Sequence, residues 1–170
     1  MTSKALFLDR DGVINQKPPD HHYVTSVSQL ILLPGIEHAI RRAKSAGFLI
    51  IVVTNQRGIS RGHLTVDALA QIHDHINHHL KKHRAAIDAF YYCRHDYHHH
   101  CNCRKPKPGL ILKAAQDFRI DLARSHLIGD SPSDIEAAAS AGIPSAHLIP
   151  PNSPLLPLVQ KILVTDLHLL

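Results

Sequence analysis

Two aspartates, Asp9 and Asp11, flank a single residue directly after a short apolar run, and Gly12 follows them. Two carboxylates held this close repel one another, so a divalent cation is a natural way to keep both ionised. A third carboxylate, Asp130, follows another apolar run much later in the chain. Oxygen ligands of this kind, with positions left for water, suit Mg²⁺. The set can also transfer a phosphoryl group, because one carboxylate can attack phosphorus while its partner moves the proton.

Two further residues could hold the phosphate. Thr54 follows the apolar run at 48–53 and offers a hydroxyl and a backbone amide to a phosphoryl oxygen, and Lys105 could bring a fixed positive charge to the same group. A lone Asp-x-Asp pair is weak evidence, since surface loops often contain one. Here the pair is matched by Thr54 after a second apolar run and by Gly129-Asp130 after a later one. The ordered set predicts a phosphoryl-transfer site.

All three cysteines fall within eleven positions, together with a histidine in a C-x-H, five residues, C-x-C pattern. Three thiolates and an imidazole form a closed tetrahedral set that suits structural Zn²⁺. The alternative, unrelated buried thiols beside a surface histidine, is disfavoured because no cysteine lies elsewhere in the sequence. Clustered cysteines of odd number also argue against a disulfide framework and favour a reducing cytoplasm. The expected ligands are Cys93, His95, Cys101 and Cys103, and the zinc would fix the loop that carries Arg104 and Lys105.

The remaining histidines, out of 16 in the chain, have no comparable pattern. His98, His99 or His100 could replace His95 as a zinc ligand, but the C-x-H spacing favours His95. His75, His79 and His83 recur every four residues on a predicted helix, off its apolar stripe. We expect them on an exposed face with no catalytic role.

Short apolar runs alternate along the chain with longer segments in which apolar residues recur at helical spacing. Strands are predicted at 4–8, 48–53, 87–92, 126–128 and 145–149, and helices at 36–46, 65–83, 110–118 and 134–141. Ser133 and Glu136 fit a capping box at the start of the last helix, and Gly142 fits its end. This alternation predicts an α/β domain with a parallel sheet and helices on both faces. The groups that follow the strands should therefore converge at the carboxyl edge of the sheet.

Length and composition bound the remaining possibilities. With 170 residues, 44% of them apolar, the chain can form one domain over 1–170, although the Pro- and Leu-rich tail at 151–170 allows no prediction of its structure. The longest apolar run is far too short to cross a bilayer, and no secretory segment is recognisable, so we expect a cytoplasmic protein. The net charge of +5 suggests an anionic partner without distinguishing a phosphate ester from a nucleic acid.

Three segments together resemble the haloacid dehalogenase superfamily of phosphatases. Residues 7–15, Phe-Leu-Asp-Arg-Asp-Gly-Val-Ile-Asn, resemble its first motif, residues 52–56, Val-Val-Thr-Asn-Gln, its second, and residues 129–134, Gly-Asp-Ser-Pro-Ser-Asp, its fourth. With Cys-Arg-His at 93–95 and Cys-Asn-Cys-Arg-Lys-Pro at 101–106, the resemblance narrows to the heptose bisphosphate and histidinol phosphate phosphatases. It covers roughly residues 4–150.

The resemblance implies a Rossmann-like domain and a role for each matching residue. Asp9 would be the nucleophile and Asp11 the general acid and base, while Thr54 and Lys105 would stabilise the phosphate. Mg²⁺ would be held by Asp9, the backbone carbonyl of Asp11, and Asp130. No large insertion follows Asp11 or Thr54, so no large cap domain is expected and the site should be open.

The resemblance also implies where the substrate lies, since the matching Arg104 of the family binds the distal part of the substrate and the loop at 20–24 contacts the sugar. Arg57 stands where the family usually has a small residue, and Ser131 where it often has Lys. The expected substrate-binding residues are Asp20, His21, His22, Tyr23, Asn55, Gln56, Arg57, Arg104 and Ser131.

The function expected from this resemblance is that of a Mg²⁺-dependent phosphatase that works through an aspartyl-phosphate. Its expected partner is a small phosphorylated metabolite, first D-glycero-D-manno-heptose 1,7-bisphosphate cleaved at C7, and it is expected to be monomeric. Histidinol phosphate, or another small phosphate ester, is the alternative substrate. A zinc module that binds nucleic acid, or a nucleic-acid 3′-phosphatase, is disfavoured because the sequence has no aromatic stacking platform or basic helix.

Overall fold

The computed structural model describes residues 2–167, and its centre is a five-stranded parallel β-sheet. The strands are β1 (Ala5–Leu8), β2 (Leu49–Asn55), β3 (Ala89–Cys93), β4 (His126–Gly129) and β5 (Ser145–Leu148). The helices are α1 (Ile36–Ser45), α2 (Val66–Lys81), α3 (Gly109–Phe118), α4 (Pro132–Ala141) and α5 (Leu156–Leu167). The strand order is β3-β2-β1-β4-β5, with every neighbouring pair parallel. The predicted α/β fold class is confirmed.

The central strands are apolar throughout because both faces of the sheet are covered. Successive residues of a strand point to opposite faces, so Leu6 and Leu8 of β1 belong to one core while Phe7 belongs to the other. The first core is closed by α1, α2 and α5, and the second by α3 and α4. This burial is the main source of stability, at roughly 25 cal/mol for each Å² of apolar surface removed from water.

The register of the sheet brings the strand ends to one edge. Leu8 pairs with Val52 of β2 on one side and with Ile128 of β4 on the other. The backbone amide of Asp9 then donates to the carbonyl of Ile128 at 3.0 Å. On the far side of β2, Asn55 pairs with Cys93 at the end of β3. Residues distant in sequence thus leave the sheet side by side.

Helix α4 begins earlier than the sequence pattern predicts. Its N-cap is Ser131, whose amide donates to the Asp134 carboxylate at 3.0 Å, so the capping box joins Ser131 to Asp134 and not Ser133 to Glu136. Pro132 occupies the first turn, where its missing N–H costs nothing because that position has no partner inside the helix. Gly142 ends the helix with φ of +90°, as predicted.

The tail that the sequence analysis left without a prediction forms α5. Leu155, Val159 and Ile162 are buried at helical spacing and pack with α1. Lys4, just before β1, also holds Asp166 in an ion pair of 2.6 Å. Exposed Val164 and several prolines obscure this apolar stripe in the sequence.

None of the helices within residues 2–167 is both long and apolar enough to span a bilayer.

Candidate active site

A cavity of about 350 Å³ opens beyond the carboxyl ends of β1, β2 and β4. All the residues expected to act in catalysis or to bind substrate line this cavity, so the predicted convergence is observed. They are Asp9, Asp11, Asp20, His21, His22, Tyr23, Thr54, Asn55, Gln56, Arg57, Arg104, Lys105, Asp130 and Ser131. Among the other lining residues, four with polar side chains were not expected as site residues: Lys17, Tyr97, Ser133 and Asp134.

The ammonium group of Lys105 places a fixed positive charge beside Asp9. Its ammonium group donates to Asp9 Oδ1 at 2.9 Å and to the carbonyl of Val53 at 2.8 Å, and it pairs with Asp134 at 2.5 Å. The side-chain amide of Asn55 bonds both the N–H and the carbonyl of Lys105, each at 3.1 Å. Asn55 therefore anchors the backbone that delivers this lysine to the cavity.

The charge on Asp9 depends on these neighbours. Burial raises the pKa of Asp9 to about 7, the Lys105 ammonium opposes that rise, and the nearby carboxylates of Asp134 and Asp11 add to it. Burial by itself would lower the pKa of Lys105, but Asp9 and Asp134 raise it overall. Lys105 is therefore charged at neutral pH, and one more cation beside Asp9 would favour its ionised form.

Three carboxylates are arranged to bind such a cation. Oxygens of Asp9, Asp130 and Asp134 lie within 4.8 Å of one another. A Cβ on Gly12 would lie 2.2 Å from Asp130 Oδ2, so this position has room only for glycine, and its φ is +90°. Hard oxygen donors from three carboxylates fit a divalent cation such as Mg²⁺.

The sequence analysis missed two charged residues of this group, Lys17 and Asp134. Lys17 donates to Asp130 Oδ2 at 2.7 Å, and nothing in its local sequence pointed to that contact. Asp134 ends the motif Gly-Asp-Ser-Pro-Ser-Asp, and its position after two serines and a proline was the available signal. Its side chain is only 1% exposed, which shows that it faces the site and not the solvent.

The carboxylate of Asp11 is held by its own set of hydrogen bonds, in which the guanidinium of Arg10 forms a fork. Arg10 Nη2 donates to its two oxygens at 2.8 and 3.0 Å, and Arg10 Nε donates at 3.2 Å. Asn15 and Gln56 donate to the same carboxylate at 2.9 and 3.0 Å. Burial works to raise the pKa of Asp11, but the Arg10 charge and these hydrogen bonds lower it overall. Arg10 is fully buried, a role that the sequence analysis missed.

The predicted zinc ligands converge in the loop after β3. Cys93 Sγ lies 3.6 Å from Cys101 Sγ and 3.2 Å from Cys103 Sγ, and His95 Nδ1 lies 3.3 Å from Cys103 Sγ. All four ligand atoms fall within 4.8 Å of one another. Tetrahedral zinc bonds of about 2.3 Å would set ligand atoms roughly 3.7 Å apart, so the donor set fits this metal.

The same loop supplies one wall of the cavity. The guanidinium groups of Arg104 and Arg57 lie 4.4 and 5.4 Å from the ring centroid of Tyr97, within cation–π range. Asp96 anchors the segment by pairing with Arg61 at 2.6 Å. Tyr97 is 66% exposed even so, which leaves its ring and both cations open to a ligand in the cavity.

The fold and this site belong to a known class. The sequence profile of the haloacid dehalogenase-like hydrolases matches residues 4–142, and the chain belongs to that family. With its curated relatives, this family identifies the chain as a phosphoric monoester hydrolase.

Two of those relatives bear the name D-glycero-beta-D-manno-heptose-1,7-bisphosphate 7-phosphatase. The protein from Helicobacter pylori is 40% identical over 152 residues, which cover 89% of this chain and 86% of that protein. The protein from Rhodopseudomonas palustris is 42% identical over 147 residues, or 82% of this chain and 80% of that protein. A crystal structure of the D,D-heptose 1,7-bisphosphate phosphatase from B. bronchiseptica, complexed with magnesium and phosphate, gives a TM-score of 0.81 at 31% identity, covering 98% of this chain and 97% of that chain.

Proposed function

We propose that this chain removes the C7 phosphate of D-glycero-β-D-manno-heptose 1,7-bisphosphate with the help of Mg²⁺. The observation that carries the proposal is the meeting of Asp9, Asp11 and Lys105 in one cavity, in a chain whose relatives bear the name of that activity. These relatives favour the heptose bisphosphate over histidinol phosphate, the alternative substrate.

The first step transfers the phosphoryl group to the protein. An oxygen of Asp9 attacks phosphorus while the bond between phosphorus and the sugar oxygen breaks, and the protonated form of Asp11 gives its proton to the departing oxygen. The Lys105 ammonium, which lies beside Asp9, stabilises the negative charge of the phosphoryl oxygens. Gln56 donates to Thr54 Oγ1 at 2.9 Å, which leaves the Thr54 hydroxyl proton free to bind one of these oxygens.

The second step returns the protein to its starting state. Asp11, now ionised, takes a proton from a water molecule whose oxygen attacks phosphorus, and the bond between Asp9 and phosphorus breaks to release phosphate. The fork of Arg10 stabilises the ionised form of Asp11 that this step requires. Bound Mg²⁺, held by Asp9, Asp130 and the backbone carbonyl of Asp11 with Asp134 beside them, would neutralise charge on the phosphoryl oxygens.

The zinc site proposed for Cys93, His95, Cys101 and Cys103 has a structural task. All four tetrahedral positions are filled by the protein, so no position is left for substrate or a reacting water. The ligand Cys103 directly precedes Arg104 and Lys105 in the chain. Fixing the loop therefore fixes both cations.

The substrate proposal rests on charge at two places in the cavity. Lys105 serves the phosphate that is cleaved, while Arg57, Arg104 and Tyr97 form a separate group on the cavity wall. Guanidinium groups bind phosphate through paired N–H donors. A small molecule with two phosphates can therefore engage both groups, whereas a monophosphate engages only one.

The test is a screen of phosphate release by the full chain with Mg²⁺, over heptose and hexose bisphosphates, histidinol phosphate and nucleotides. We expect the highest kcat/KM for heptose 1,7-bisphosphate, and ³¹P NMR should show a product that keeps the C1 phosphate. A preference for histidinol phosphate would replace the substrate assignment. Salt-dependent DNA binding without turnover of any small ester would overturn the proposal as a whole.

A further inference from the structure

The buried guanidinium of Arg10 joins Asp11 to a histidine on α2. Arg10 Nε and Nη2 donate to Asp11, and the remaining nitrogen, Nη1, lies 3.5 Å from Nε2 of His73. A guanidinium group can only donate hydrogen bonds, so His73 Nε2 must be the acceptor. The ring proton of His73 then resides on Nδ1.

Packing fixes the ring of His73. Its side chain lies among buried residues, and the residue is only 6% exposed. The ring stacks on Phe90 at a centroid distance of 4.3 Å and an interplanar angle of 13°, and it meets the edge of Tyr92 at 6.2 Å. Phe90 and Tyr92 both lie on β3, so α2 and β3 together hold the imidazole against Arg10.

The imidazole is also kept in the form that can accept a hydrogen bond. Burial, assisted by the neighbouring Arg10 charge, lowers the pKa of His73 to about 3, while Asp11 works weakly in the other direction. His73 is therefore neutral throughout the physiological range.

We propose that His73 is a positioning residue that orients Arg10 and, through Arg10, the carboxylate of Asp11. Without His73, the Nη1 donor would be buried without an acceptor, and the guanidinium would tilt toward another partner. Because the guanidinium is a rigid plane, that tilt also displaces the bonds from Nε and Nη2 to Asp11. His73 is not among the residues that line the cavity, so its effect passes through Arg10.

This inference rests on the proposed function, because it assigns the effect to proton transfer by Asp11. A sugar phosphate has a poor leaving group that needs a proton from Asp11, whereas the nitrophenolate of p-nitrophenyl phosphate leaves without one. In either reaction the second step needs Asp11 to take a proton from water. If Asp11 is misplaced, the first step with the nitrophenyl ester should therefore keep its rate. Both steps with the sugar phosphate, and the second step with the nitrophenyl ester, should be slower.

The experiment compares His73→Leu, which removes the acceptor, with His73→Gln, which can place an amide oxygen near the position of Nε2. His75→Leu, at an exposed position of the same helix, is the matched control. For His73→Leu we expect kcat on the sugar phosphate to fall by about tenfold or more with KM nearly unchanged. With p-nitrophenyl phosphate we expect a fast burst of nitrophenolate followed by slow turnover. His73→Gln should recover most of the loss, and His75→Leu should match the wild type.

Several outcomes would overturn the inference. One is an equal loss in the nitrophenyl burst and in sugar-phosphate turnover, and another is a His73→Gln variant no better than His73→Leu at equal melting temperature. Unchanged kinetics in a folded His73→Leu variant is a third.

A measurement on the wild type keeps this inference separable from the proposed function. ¹⁵N NMR at neutral pH should show His73 protonated at Nδ1 and not at Nε2. The opposite tautomer would overturn the role of His73 whatever the enzyme hydrolyses. A wild type that shows the Nδ1 tautomer but hydrolyses neither ester would overturn the proposed function and, with it, the kinetic role assigned to His73.

Discussion

Lys105 donates a hydrogen bond of 2.9 Å to Asp9, although 96 residues separate the two in the chain. The lysine lies two residues after Cys103 and the aspartate one residue after β1. The loop of cysteines thus delivers a charge to the end of the central strand. The proposed zinc holds the loop that carries Lys105, and Lys105 bonds the proposed nucleophile Asp9. The predictions for the zinc site and for Asp9 are therefore connected.

Asp9→Asn should lower phosphatase turnover by roughly three orders of magnitude or more, since the amide cannot attack phosphorus. The fold and the zinc content should be unchanged, because burial already raises the pKa of Asp9 to about 7 and a neutral group is tolerated there. Single-turnover kinetics, circular dichroism and elemental analysis measure the three quantities. Asp117→Asn, at a surface ion pair with Lys113, is the control and should keep full activity. Retained turnover in Asp9→Asn would refute the nucleophile.

The purified chain should contain about one zinc atom, and Cys103→Ser or strong chelation should remove it. Loss of zinc should raise KM for the bisphosphate, because Arg104 and Lys105 directly follow a zinc ligand. Elemental analysis and steady-state kinetics before and after zinc is returned provide the test. If a zinc-free chain kept both its melting temperature and its KM, the structural role proposed for the metal would be wrong.

Gly12→Ala should weaken Mg²⁺ binding, because the new Cβ would lie 2.2 Å from Asp130 Oδ2. Gly35→Ala is the matched control: its φ of +76° is also left-handed, but nothing lies within 4 Å of the added Cβ. Both variants should lose about 1–2 kcal/mol of unfolding free energy to backbone strain. Only Gly12→Ala should raise the Mg²⁺ concentration for half-maximal activity, measured by titration. Equal Mg²⁺ dependence in the two variants would contradict the close contact with Asp130.

Tyr97→Leu should raise KM for the bisphosphate by about two- to tenfold, because each cation–π contact contributes about 0.5–1 kcal/mol at an exposed site. The KM for a sugar monophosphate should change much less, since the second phosphate is absent. Tyr97→Phe keeps the ring beside Arg57 and Arg104 and should behave as the wild type. An equal rise in KM for the bisphosphate and the monophosphate in Tyr97→Leu would show that the ring supports the loop and does not help to bind the distal phosphate.

His73 should make stability depend on pH below neutrality. Its pKa of about 3 in the folded state lies below the ordinary value of 6.5, so the unfolded chain binds the extra proton first. The contribution of His73 to the free energy of unfolding is therefore fully present above pH 6.5. It is lost as pH falls toward 3, by up to about 1.4 kcal/mol per pH unit. The free energy of unfolding, measured with urea at pH values from 7 to 5, should fall less with pH for His73→Gln than for the wild type. His75→Gln, at an exposed position, should show the same pH dependence as the wild type.

The residues that follow the strands could be placed from the sequence because parallel strands share one carboxyl edge. Asp9, Thr54 and Asp130 each follow an apolar run, so knowledge of the strands was enough to bring them together. The cysteine pattern was equally informative, since ligand spacing is a local property of the chain. Glycine after the last residue of α4 was likewise a local signal for its end.

Contacts between separate elements were beyond the reach of such patterns. The sequence shows Arg10 as a charged residue beside two aspartates, and only the packing of α2 on β3 reveals His73 as its partner. Tyr97 becomes part of the cavity because its loop folds toward Arg57. Helix α5 packs against α1, and the spacing of residues within either helix does not reveal this contact.

The sequence by itself therefore determined the class of fold, the position of the aspartate pair Asp9 and Asp11 and the ligand pattern of the cysteine loop, because each is encoded in neighbouring residues. Tertiary structure alone decided which atoms control those groups: the ammonium of Lys105 on Asp9 and the guanidinium of Arg10 on Asp11. The physical reason is distance. The charge state of a buried carboxylate depends on groups within a few ångströms, and only folding brings those groups together.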